Sequence, residues 1–207
     1  MKYRWFLWVA GLLSVASLSA ENLSAVSPAK TMAATPLKPA VIFFFDSPAS
    51  STILPAVAIA FQQEAAVERR EYPVPENFEV LSATALRPDS EFSKVVQVHL
   101  LGRCDVVEQA VHPLAPGPLG WVLRVSGEIQ PFVYVNCERL AQVLNPRTLG
   151  MNDAQRADAM ANAVARIAMH EWLHISLQTD VHTNRGVRRA ELSANDLIAP
   201  ANPPTGD

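Results

Sequence analysis

Apolar and polar residues are distributed along this chain in several distinct patterns, and each pattern predicts an element. Val41-Ile42-Phe43-Phe44-Phe45 is a continuous apolar run of the length expected for a buried strand. Ser50 or Ser51 is placed to cap a helix running to about Arg69, with Pro55 tolerated in its first turns. Phe78 to Leu81 predicts a second strand. Val95 to Leu101 alternates well enough for a third, which brings Cys104 to its end. Pro113, Pro116 and Pro118 make the stretch from Val106 a loop. Trp121–Val125 and Pro131–Val135 flank Ser126-Gly127-Glu128, which is a hairpin pattern. Glu138 to Leu144 predicts a short helix ending before Asn145-Pro146.

The strongest helical pattern follows. Asn152 is an N-cap with Gln155 three residues on and Asp153 in the first turn. From there to about Gln178 the chain has no Gly or Pro. Met160, Val164, Ile167, Ala168, Leu173 and Leu177 supply apolar positions at helical spacing. Gly186 marks a turn, Ser193 with Asp196 predicts a short capped helix, and residues 200–207 read as a frayed tail. No internal repeat is visible. This order of elements predicts an α+β fold, a twisted mixed sheet backed by helices.

The chain's beginning has a different character. Lys2 and Arg4 precede an apolar stretch from Trp5 to Ala16, and Ser17, Ser19 and Ala20 follow, which is the layout of a secretory signal over residues 1–20. Residues 21–39 are mostly Ala, Ser, Pro, Thr and Lys and read as a tether before a domain spanning 40–199. The apolar stretch is short for a bilayer span, so no stable membrane insertion is expected after cleavage. An exported location, periplasmic or extracellular, is expected. Cleavage after residue 20 removes two of the 17 basic residues and none of the 20 acidic ones, leaving 15 against 20 and a charge of −5. That surplus of acid excludes phosphate tracking and makes nucleic acid an unsuitable partner. The two cysteines, Cys104 and Cys137, are expected to pair in an oxidising compartment, the alternative being two buried thiols.

The candidate chemistry lies in His170-Glu171-Trp172-Leu173-His174. Residues four apart share one face of a helix, so the two imidazoles can bind one metal ion without distorting the backbone. Glu171 sits a quarter-turn away, where it can reach an attacking water as general base but is poorly placed as a ligand. Chance would produce such a motif in about one chain of this composition in a hundred. A catalytic zinc takes three protein ligands, and three residues compete for the third place: Asp180, His182 and Glu191. His99 and His112 fall in a strand and a loop, where structural or exposed roles are expected.

From about Val41 to Leu197, and most clearly from Leu123 onward, the chain resembles a group of secreted bacterial zincin-like metalloproteases. Their signature is H-E-x-x-H, seven residues, a further His, and then a Gly-[Ile/Val]-Met-Arg-Ala segment. Here the match is the motif above, His182, and Gly186-Val187-Arg188-Arg189-Ala190. The resemblance implies a zincin-like fold with the motif on a long active-site helix. It also implies one zinc per chain held by His170, His174 and His182, with a peptide or protein as substrate. Two departures stand out. Leu177 and Gln178 occupy positions where relatives often carry Gly or Pro, and Arg188 replaces the Met of the turn beneath the metal. Arg188 is expected to point outward or to reach into the cleft as an anion binder. These departures support an alternative, a non-catalytic exported domain in which zinc is structural or absent.

Overall fold

The structure is a computed structural model that describes residues 36–106 and 117–201. The expected leader, most of the tether, the Pro-rich stretch containing His112 and the last six residues lie outside these. β1 (Ala40–Phe45) leads through a 3-10 stretch, Pro48–Ile53, into α1 (Leu54–Glu68). β2 (Glu79–Ser82), β3 (Val95–Leu101), β4 (Gly120–Val125) and β5 (Glu128–Asn136) follow. Then come α2 (Cys137–Thr148), α3 (Asp153–Leu177) and α4 (Ala194–Ile198).

The strands form one sheet in the order β2-β1-β3-β5-β4. Four run parallel and β4 pairs antiparallel with β5 at the edge. This is the expected mixed α+β architecture. Alternate residues of the central strands, Val41 and Phe43, Val96, Val98 and Leu100, Val133 and Val135, are buried in one core with α1 and α3. The opposite face carries a rank of rings set by the strand register: Phe44, His99, Tyr134 and Trp121 stack on one another in turn. The hairpin turns at Ser126 and Gly127, both with positive φ, which suits the twist of the two strands. Pro131, with no N–H to give, falls in the irregular stretch of the β4–β5 pairing.

Three element boundaries differ from expectation. β5 begins at Glu128, three residues before the expected Pro131. Neither Ser50 nor Ser51 caps α1. The Ser51 hydroxyl donates back to the Pro48 carbonyl, while the buried Ser50 hydroxyl accepts the Cys104 N–H at 2.9 Å. α2 runs on through Asn145-Pro146 to Thr148. Leu144 and Thr148 are buried, and the Thr148 hydroxyl donates to the carbonyls of Leu144 and Asn145, which satisfies carbonyls of the last turn.

The roll of α3 is fixed by aromatic packing. Trp172 stacks on Phe61 of α1 with centroids 5.4 Å apart, and Phe78 meets both rings edge-on. A second tie joins the same two helices: Arg166 of α3 donates from Nε to the Glu64 carboxylate at 2.7 Å and forms an ion pair with it. Both side chains are nearly buried, so loss of one partner would strand the other's charge.

Cys104 and Cys137 form a disulfide, both fully buried, joining the chain beyond β3 to the first residue of α2. Closing a loop of 33 residues restricts the unfolded chain by about 3 kcal/mol. Replacing both cysteines by alanine should therefore lower the unfolding free energy in urea by about 3 kcal/mol. A loss below about 1 kcal/mol would show that the crosslink contributes little.

Candidate metal centre

α3 begins with a complete capping box, in which the Asn152 side chain accepts the Gln155 N–H and the Gln155 side chain accepts the Asn152 N–H. It is Ala-rich, buried almost continuously from Ala159 to His174, and carries His170 and His174 one turn apart. Both are buried, as is Glu171 between them. The chain then turns back and brings His182 against them. The three rings lie 4.7 to 5.2 Å apart by centroid, and one ring nitrogen from each falls within 4.8 Å of the others.

The hydrogen bonds assign the tautomers. His170 Nδ1 lies 2.7 Å from the Val187 carbonyl and His174 Nδ1 lies 2.6 Å from the Thr179 carbonyl. A carbonyl can only accept, so both Nδ1 atoms carry the proton. The two Nε2 lone pairs then face each other at 3.0 Å. Two lone pairs at that distance repel unless a cation lies between them. Ligands of a tetrahedral zinc, at 2.0–2.1 Å from the metal, would stand about 3.3 Å apart, close to what is seen. Each Nδ1–H held by a carbonyl is also the usual support behind a metal-binding histidine. Burial, with the neighbouring His174, His182 and Arg188 adding to it, holds the His170 imidazole down at about 4, and burial lowers His174 too. Both rings are therefore neutral at physiological pH, the form that binds metal.

Of the three residues competing for third place, His182 joins the cluster. Asp180 is exposed and pairs with Arg124 at 3.3 Å, and Glu191 borders the same cleft outside the cluster. That cleft has a volume of about 680 Å³ and is bordered by β4, the three histidines, Glu171 and the segment 189–192. Burial pushes the Glu171 carboxyl up to about 7. His99 is held between the rings of Phe44 and Tyr134, away from the cluster, which agrees with a structural role.

One supporting residue, Gly120, was not legible in advance. Gly120 opens β4, and a Cβ there would lie 2.4 Å from Ile167 Cγ2 and 3.3 Å from Glu171 Oε1. Only glycine lets the edge strand come this close to the motif. Gln178 ends α3 in the left-handed conformation with φ 49 and ψ 41, the role a glycine commonly fills. The strain of about 1 kcal/mol is offset by its side chain. The amide accepts the Ile129 N–H at 3.2 Å and donates to the carbonyls of Ile129 at 3.0 Å and Ile175 at 2.8 Å, pinning the helix end to β5.

Arg188 neither points outward nor enters the cleft. It is buried, lies over the Tyr72 ring and donates to the Val181 carbonyl. The residue before it, Val187, is buried as well, and its N–H is accepted by the Glu68 carboxylate.

No protein-family model matches the chain, and neither the curated proteins nor the solved structures contain a match to it.

Arg189, which borders the cleft, pairs with Asp196. Hydrogen bonds from the Ser193 hydroxyl and backbone, with Arg189 alongside, hold its carboxyl down at about 2. A depressed carboxyl contributes stability above its unfolded value near 3.8, and that contribution disappears as pH falls through 2. Asp196→Asn should therefore lower the urea midpoint at pH 6, with the gap from wild type closing as pH drops from 4 towards 2. A gap that is the same at pH 6 and pH 2 would rule out this role for the charge.

Proposed function

We propose that this chain is an exported zinc-dependent peptidase with zinc held by His170, His174 and His182 and with Glu171 as general base. The observation that carries the reading is the pair of Nε2 lone pairs facing each other at 3.0 Å, both Nδ1 protons held by carbonyls, with a third imidazole closing the set. Three nitrogen donors suit zinc among the common divalent ions. All three rings border an open cleft, which favours a catalytic site with a free fourth position over a closed structural one.

A bound zinc supplies Lewis-acid chemistry there, making water nucleophilic near neutral pH and polarising a carbonyl. Glu171, buried beside the cluster, takes the proton from the attacking water and delivers it to the leaving amine. Among the described residues β4 is the edge of the sheet, and it borders the cleft, so an extended peptide laid along it can pair with its outer backbone groups. A long helix bearing the H-E-x-x-H motif beside such an edge strand supports a zincin-like arrangement. The acidic surplus and the peptide-sized groove both favour peptide or protein substrates over nucleic acid.

The buried disulfide supports passage through an oxidising compartment. No helix among the described residues is long and apolar enough to cross a membrane.

Glu171→Gln should bind zinc like the wild type and lose about two to four orders of magnitude in hydrolysis of an unfolded protein substrate. Full activity in that variant would contradict the assigned mechanism.

A further inference from the structure

His182 is the exposed member of the three-histidine set and sits on a loop that burial does little to hold. Asp180, Val181 and His182 are all exposed, Val181 to 64%. A metal ligand must nonetheless stay within about 0.5 Å of its working position. Arg188 grips the residues on either side of it. Its guanidinium donates to the Val181 carbonyl, and its own carbonyl accepts the Thr183 N–H at 2.9 Å. The arm itself is fixed, because the side chain is buried and its guanidinium carbon lies 5.2 Å from the Tyr72 ring centre. Val187, one residue earlier, holds His170 through its carbonyl. Two consecutive residues thus bond His170 and the two chain neighbours of His182.

We propose that Arg188 is a positioning residue for His182, clamping the loop on both sides of that ring. The proposal rests on the three-histidine metal centre argued above. Charge makes it testable with a definite sign. A guanidinium near a cation site weakens metal binding through repulsion, so removing it should tighten binding if charge alone mattered. If the clamp matters, removal weakens binding.

The test measures zinc affinity by competition with a chromogenic chelator, on the leaderless chain from residue 21, for wild type, Arg188→Met, His182→Ala and the double variant. Arg188→Met should weaken zinc about 10- to 100-fold, and should add nothing in the His182→Ala background. In the metal-free protein the Thr183 amide should exchange about tenfold faster, with those of α3 unchanged. Should Arg188→Met fail to fold, Tyr72→Leu loosens the same arm and should weaken zinc several-fold, again only where His182 is present. Unchanged or tighter binding in either variant, or equal weakening with and without His182, would overturn the clamp while leaving the metal centre standing. A wild-type chain that takes up no zinc would overturn both.

Discussion

A helix carrying functional residues on one face is useful only if it cannot roll, and here the roll of α3 is set by one aromatic contact. Trp172 is stacked on Phe61 and braced by Phe78, deep in the core. Successive helical residues are displaced by about 100°, so fixing Trp172 inward places His170, His174 and Glu171 together on the side facing the cleft. The Arg166–Glu64 ion pair holds the same two helices at a second point. The three motif residues that border the cleft thus inherit their direction from the motif's tryptophan.

Around this rigid helix the site is completed by backbone groups. Carbonyls of Val187 and Thr179 fix the imidazole tautomers, Gln178 substitutes for a strand residue against Ile129, and Gly120 removes the side chain that would separate β4 from Glu171. Two residues here carry a local cost: the left-handed Gln178, whose side chain is tied by three hydrogen bonds, and the buried Arg188, whose guanidinium donates to the Val181 carbonyl. Local strain held in place by its surroundings is common where a site must keep its geometry.

Much of this was readable from residue pattern. Strand positions followed from apolar runs and alternation, the long helix from its capping box and the lack of Gly and Pro, and the two α3 histidines from their spacing. The disulfide followed from having two cysteines in a chain with a leader-like start. What was hidden depends on contacts between segments distant in sequence. Nothing local distinguishes Ser50 as a cap from Ser50 as the acceptor of the Cys104 N–H, or shows that Pro146 lies within a helix that continues to Thr148. The same holds for Arg188, whose burial depends on Tyr72. Among the third-ligand candidates, chain spacing left Asp180, His182 and Glu191 open. The fold separates them by turning the chain so that one imidazole, and neither carboxylate, meets the helix pair.

The central claim is that these three imidazoles form one open metal site. X-ray absorption at the zinc edge, on the zinc-loaded leaderless chain, tests it most directly. The expected inner shell is three imidazole nitrogens and one non-protein oxygen, all near 2.0 Å. A shell with a fourth protein ligand, with fewer than three imidazoles, or no retained zinc would contradict the account.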